Sequence, residues 1–204
     1  MNNILFWGGI LAVVVYTGTV ILGGILRPGY SHVSNFISDL IATGSPNKSI
    51  LDPLFLVFNL LTGVFAVGLW VFVRAQNAGA GALGTIGAVV LMLEALAGFA
   101  TVFYPEDAPG SAMTSIGKTH IALAGLSSLT TMINMLLIGL WLRGIPGMAG
   151  FSVYSIISVI VVFITGGLTA VSGAKNSPVR GLLERLTIGS FLQWMLVIGV
   201  KLLM

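Results

Sequence analysis

Six apolar runs, each roughly 18 to 23 residues long, divide this 204-residue chain, and each can cross a hydrocarbon layer about 30 Å thick. They fall at about 4–26, 54–73, 82–103, 121–142, 151–172 and 186–203. Lipid offers backbone N–H and C=O groups no partner, so such runs must close their own hydrogen bonds as helices. Barrel strands would be shorter and would alternate. The sequence therefore predicts an all-α polytopic membrane protein, a single membrane domain over residues 1–204 built as a bundle of six transmembrane helices. Only 7% of the residues are charged, against about a quarter in a soluble domain, and no stretch is left over for a second, water-facing domain. The first run has no basic residue before Ile4 and no small-residue cleavage site behind a short core, so it reads as a retained helix, not a cleaved signal.

Six crossings put the termini on one face with connections two and four, which are short and Gly-rich ("RAQNAGAG" from Arg74, "RGIPGMAG" from Arg143). The long connections, 27–53, 104–120 and 173–185, share the other face. That long-loop face carries Arg27, Lys48, Lys118, Lys175, Arg180 and Arg185, whereas the terminal face carries Arg74, Arg143 and Lys201. The basic count favours long loops in the cytoplasm, but half of it comes from the fifth connection, and the sequence leaves the orientation open.

The longest polar interruption is "RPGYSHVSNFISDLIATGSPN", residues 27–47. Within it Val33, Phe36, Ile37, Leu40 and Ile41 are spaced as one stripe of an amphipathic helix. Ser31 suits an N-cap, and Gly44 and Pro46 suit a stop. The pattern predicts a short interfacial helix over 31–43, with its apolar side in lipid or on the bundle and His32, Asn35 and Asp39 on its polar face.

Polar groups inside the spans also follow a pattern. His120, Ser127, Thr131 and Asn134 share one face of the fourth helix, and Ser158, Thr165, Thr169 and Ser172 repeat that spacing on the fifth. The third carries Glu94, with Thr101 seven residues on and Gly87 seven before, and the second offers Asn59, Thr62 and Gly63. At about 1.5 Å per residue, Glu94, the stretch from Ser128 to Thr131, Thr62 with Gly63, and Thr165 with Gly166 reach a similar level, roughly 13 Å below the long-loop face. Hydroxyls at such positions often serve only as helix-to-helix contacts. A carboxylate at Glu94 is costly there and calls for a cavity or a partner.

Chemistry could gather at the mouth. "FYPEDAPGSAMTSIGKTH" brings Glu106 and Asp107 to the long-loop face and leads into His120, while the first connection brings His32, Ser38, Asp39 and Asp52. His32, Asp39, Asp107 and His120 are the candidate ligands for a divalent metal, but no HxxxH or HExxH spacing supports one. Ser38, His120 and Asp39 or Asp107 could compose a hydrolytic set. Haem between His32 and His120 is disfavoured, because bundle haem sites project ligands from facing helices. Retinal would need a lysine deep in a span, and Lys201 is near a helix end. Cysteine is absent, which excludes disulfides, thiolate metal sites and a cysteine nucleophile. The net charge of +3 is what membrane flanks supply, and nothing points to nucleic acid.

"RPGYSHVSNFISDL", Asn59, "FYPEDA", His120 and "GLLERLTIGSFLQWMLVIGVKLL", in that order, resemble the uncharacterised prokaryotic integral membrane family called domain-of-unknown-function 998, over almost the whole chain. The resemblance implies six membrane helices and points to Ser38, Asp39 and Leu40, to Tyr104, Pro105, Glu106 and Asp107, and to His120. It brings no reaction with it. Family members resembling this chain carry basic residues before the first helix, implying cytoplasmic termini, whereas this chain begins "MNNILFW". A looser likeness links it to membrane hydrolases of the ceramidase and progestin-receptor type, but their late HxxxH pair and seventh helix are missing.

The expectation is a multi-pass protein of the cell membrane with membrane lipids as neighbours. A polar-lined cavity should open to the long-loop face, floored near Glu94 and rimmed by Asp39, Asp107 and His120. Asn59, Glu94, Glu106, Asp107, His120, Ser127 and Thr131 are the expected ligand-binding residues for a lipid or lipid-like molecule. Two alternatives stand beside it. One is a head-group hydrolase or transferase using His120, Asp39 and Ser38, with or without metal. The other is a structural partner subunit whose polar stripes are helix contacts. Cofactor and oligomeric state are left open.

Overall fold

The computed structural model describes residues 3–76 and 81–204; part of the second connection, residues 77–80, lies outside them. A single 3-10 turn, Asn3–Phe6, leads into α1 (Trp7–Leu26). The other helices are α2 (Lys48–Ala75), α3 (Gly81–Thr101), α4 (Ser115–Leu142), α5 (Ala149–Ala174) and α6 (Arg180–Leu203). All six are long and apolar enough to cross a membrane, which makes this a multi-pass membrane protein. No strand occurs among the described residues.

Three helices start earlier than their apolar runs. α2 begins at Lys48 and keeps Pro53 inside it, α4 begins at Ser115, and α6 begins at Arg180. Apolar length marks only the part that must sit in hydrocarbon. The extra turns are polar helix standing in the long-loop face, and at α4 a side-chain cap fixes the start, where Thr114 Oγ1 accepts from the Gly117 N–H at 3.1 Å.

Each helix packs on its neighbours in the chain, and α6 returns to α1, which closes a ring. The half nearer the termini is packed solid. Phe6, Phe65, Leu69, Met135, Ile138, Trp141, Trp194 and Ile198 are fully buried there. The Phe72 ring meets both Phe6 and Trp141 edge-on, with centroids 6.2 and 5.7 Å apart. Gly139 lets α4 approach Ser155 of α5, whose hydroxyl accepts from the Trp194 indole N–H at 2.9 Å. One small residue thus draws three helices together.

The segment 31–43 is not an interfacial helix. Its only regular piece is a 3-10 turn, Ser38–Ile41, within a run of turns bracketed by Gly29 and Gly44, whose φ angles of 75° and 79° suit glycine. Of the predicted stripe, Ile37, Leu40 and Ile41 are buried, but Phe36 is half-buried and Val33 is exposed, while Asp39 of the predicted polar face is buried. The backbone differs because its polar groups are claimed from elsewhere. Leu182 N–H donates to the Val33 carbonyl, Arg180 Nε to that of Ser34 and Arg185 Nη1 to that of Asn35. The Tyr30 hydroxyl donates to the Phe36 carbonyl, the Phe36 N–H donates to Asp39 Oδ2 at 2.9 Å, and the Ile37 N–H to Glu184 Oε2 at 2.5 Å. A helix would need those same groups for itself. The segment is instead a plug, seated in the ring and tied chiefly to the start of α6. Its Thr43 N–H also donates to the Glu106 carbonyl at 2.8 Å, which joins the first and third connections.

Candidate functional site

Below the plug the ring encloses a cavity of about 280 Å³. Ile37, Ser38 and Ile41 of the plug form its roof, and α2 to α6 all supply its walls, with Tyr16 from α1. Its apolar surface comes mainly from Phe55, Phe58, Val162, Ile188 and Phe191. Asn59, Glu94, Ser127, Ser128 and Thr131 supply polar groups at depth, and Ser38, Thr101, His120 and Glu184 supply them near the roof.

Three of those side chains carry a buried polar atom with no hydrogen-bond partner: Asn59 Oδ1, Glu94 Oε2 and Ser127 Oγ. Asn59 satisfies its nitrogen by donating to the Phe55 carbonyl at 2.8 Å, so its oxygen alone is spare. Glu94 is only 5% exposed and is in no ion pair among the described residues. Buried polar groups are nearly always paired, and leaving one unpaired costs about 1–3 kcal/mol. Their residues, on α2, α3 and α4, all line one hollow, and Asn59 Oδ1 itself is packed against Gly98 of α3.

The remaining expected residues divide by location. His120 lines the cavity, with its ring Nδ1 2.8 Å from the Tyr104 carbonyl. A carbonyl only accepts, so Nδ1 carries the proton in this bond and Nε2 is the free acceptor. Ser38 lines the roof and donates to the Glu106 carboxylate, which is itself behind the wall. Thr131 lines the cavity too. Asp107 does not line it. Its carboxylate accepts from the Thr114 N–H at 2.8 Å and the Thr114 hydroxyl at 2.7 Å, supporting the cap of α4. Asp39, 2% exposed, points into the plug, where it accepts from Phe36 and Asn35 and stands 3.8 Å from the Arg180 guanidinium. His32 does not line the cavity; its ring, in the first connection, lies against Gly24 of α1. No three His, Asp or Glu side chains converge on a metal position among the described residues.

Outside the spans, burial pushes Glu106 above the usual carboxylate range, against the Ser38 hydrogen bond that lowers it. The Thr114 hydrogen bonds hold Asp107 below that range. Burial pushes the Tyr30 phenol up to about 12 despite Arg185 beside it. For Glu106 the raised value means that its protonated form is favoured by folding. That contribution is fully present below the ordinary carboxylate pKa and fades as pH rises through the elevated one. Glu106→Gln should therefore flatten the pH dependence of the unfolding midpoint on the mildly acidic side, and an unchanged profile would remove Glu106 as its source.

Residues absent from the sequence reading include Glu184 and Thr187, both on the cavity wall, where Thr169 of the predicted stripe on the fifth helix also lies. Beginning the last span at 186 left Glu184 out of the polar inventory. Helical extension back to Arg180 places it one turn inside α6. Other predicted positions turn out to be packing. Asn134 is fully buried, its amide donating to the Thr130 carbonyl at 2.9 Å, and Gly87 lies against Ile138.

A family model described as "Protein of unknown function (DUF998)" matches residues 10–201. No curated protein and no solved structure matches the chain.

Proposed function

Because the chain belongs to the DUF998 family, whose description carries no activity, its role must be read from the cavity, and we propose that it binds a lipid or lipid-like amphipathic molecule in the cell membrane. The observation that carries this reading is one mainly apolar cavity to which α2, α3 and α4 each bring an under-paired polar side chain, Asn59, Glu94 and Ser127. Asn59 Oδ1 can only accept, whereas the Ser127 hydroxyl and the buried, cation-free Glu94 carboxyl can each donate or accept. The ligand's polar end is therefore matched by hydroxyl or amide groups, and its apolar part lies against Phe55, Phe58 and Phe191. Sites of this kind combine a mainly apolar lining with a few placed polar groups.

The test is mass spectrometry of whatever amphiphile accompanies the protein after mild extraction. Wild type should retain one species near stoichiometry, and Glu94→Leu should reduce it about 10- to 100-fold, the equivalent of one or two lost hydrogen bonds to a charged or buried acceptor. Glu94→Gln, which keeps an acceptor oxygen, should retain more. Wild-type protein free of any such molecule, or full retention by Glu94→Leu, would overturn the reading.

A second reading, a hydrolase or transferase acting on a lipid head group, is favoured by one observation. The His120 ring is anchored through Nδ1, leaving Nε2 as a proton acceptor on a cavity that Ser38 and Glu184 also line. It is told apart by turnover: His120→Ala would abolish head-group release from a bound lipid while leaving the amount bound unchanged.

A further inference from the structure

A second hollow, of about 340 Å³, lies at the seam between α1 and α6. Tyr16, Ile37 and Ile188 face both hollows, so one layer of side chains separates this cleft from the central cavity. Its contents differ from those of the cavity. His32 and Arg185 stand at the long-loop end, and Thr17, Ile21, Gly189 and Leu192 run below them. Ile21 is 53% exposed on the outer face of α1, and a Cβ built on Gly189 meets nothing within 4 Å, so the cleft is open to the surrounding bilayer.

The upper end is built. Arg185 is five residues into α6, roughly 8 Å below its start, and Leu192 is roughly 18 Å below it. The guanidinium is therefore at head-group depth, and the apolar run leads into hydrocarbon. Arg185 donates from Nη1 to the carbonyls of Asn35 and Gly181 and from Nη2 to the Tyr30 hydroxyl. Its Nε–H is buried with no partner, and the guanidinium makes no ion pair among the described residues. It also packs over the Tyr30 ring, 5.6 Å from the centroid, and that ring meets His32 edge-on at 5.2 Å. The His32 ring is laid against Gly24 of α1, where any side chain would overlap it. A fixed cation lacking a counter-ion, a neighbouring imidazole and an apolar channel leading down from both make up the complement of one chemical class.

We propose that the α1–α6 cleft binds an anionic glycerophospholipid, with its phosphate on Arg185 and His32 and one acyl chain along Ile21, Gly189 and Leu192. Arginine contacts phosphate through N–H donors; Arg185 has a second N–H left on Nη2, and its covered Nε–H has no partner to lose. A net-negative head group supplies the missing counter-charge, whereas a zwitterionic one brings its own cation. This site does not depend on the reading of the central cavity. Its ligand carries negative charge and is held by Arg185 and His32, neither of which touches the ligand of Asn59, Glu94 and Ser127.

The experiment measures thermal unfolding of the full chain in a neutral detergent with added phosphatidylglycerol, phosphatidylcholine or inorganic phosphate. Phosphatidylglycerol should raise the midpoint of wild type by several degrees, and the other two should do little. Arg185→Gln should abolish the shift. Because Arg185 also ties the plug, that variant could fail to fold, so Gly189→Leu is the second arm: it fills the channel, leaves the plug ties intact and should also lose the shift. Equal responses to the two lipids, a full shift in Gly189→Leu, or reproduction of the shift by inorganic phosphate alone would each overturn the proposal.

Discussion

Asp39→Ala should destabilise the protein by about 3 kcal/mol, lowering the unfolding midpoint on the order of 10 °C, and should free the first connection. Asp39 is nearly inaccessible, and its Oδ2 accepts from the Phe36 N–H and the Asn35 amide while facing Arg180. Deleting it strands a buried N–H, at about 1–3 kcal/mol, and removes the carboxylate beside a half-buried guanidinium, which costs more than the pair was worth. Asp39→Asn keeps an acceptor for Phe36 and loses only the charge, so it should cost less than half as much. Limited proteolysis gives the local readout: cleavage within residues 27–47 should rise sharply in the alanine variant. If that variant melts within a degree or two of wild type with the same cleavage pattern, Asp39 does not hold the plug.

The second large effect lies at the opposite end of the bundle. Gly139→Leu should cost about 3 kcal/mol or more, because a Cβ there would stand 2.5 Å from the Ser155 Cβ. The neighbour is the root of a side chain, not its flexible end, so α4 and α5 must separate. That separation also breaks the Trp194–Ser155 hydrogen bond to α6. Between helices in lipid there is little hydrophobic driving force, and close van der Waals packing at small residues is the main adhesive; overpacking such a contact is destabilising. Gly139→Ala should show the same effect at smaller size. Unfolding in mixed detergent micelles measures both, and a Gly139→Leu protein of wild-type stability would show that the three-helix contact is not what closes the terminal half.

The fold was legible because its signal is collective. Six apolar runs leave one secondary structure and one topology, and no single residue decides the matter. The polar level was legible in part, since Glu94, Ser128, Thr131 and Gly166 are placed by helical rise alone and all line the cavity, whereas Thr62 and Gly63, placed the same way, do not. What the sequence hid was long-range pairing. The stripe announced the burial of Ile37, Leu40 and Ile41 but not the exposure of Val33, and the segment's backbone partners are Glu184, Arg180 and Arg185, some 150 residues away along the chain, to which local spacing is blind. Asp107 looked like a rim carboxylate and is a capping acceptor, since both tasks use the same residue at a helix start. Glu184 was overlooked because a hydropathy boundary is not a helix boundary.

The helices of the ring are unequal. α1 and α3 have 20 and 21 residues, but α2 and α4 have 28 each. At about 1.5 Å per residue the long pair reaches roughly 42 Å and the short pair roughly 30 Å, close to the hydrocarbon thickness itself. The two lengths cannot both stand upright with their ends flush, so the longer members lean or project. Since the apolar runs of α2 and α4 are no longer than those of their neighbours, the surplus is the polar turns, and it projects on the plug's side of the membrane. That end of the ring therefore carries a raised collar, and anything approaching the plug from water meets the collar first.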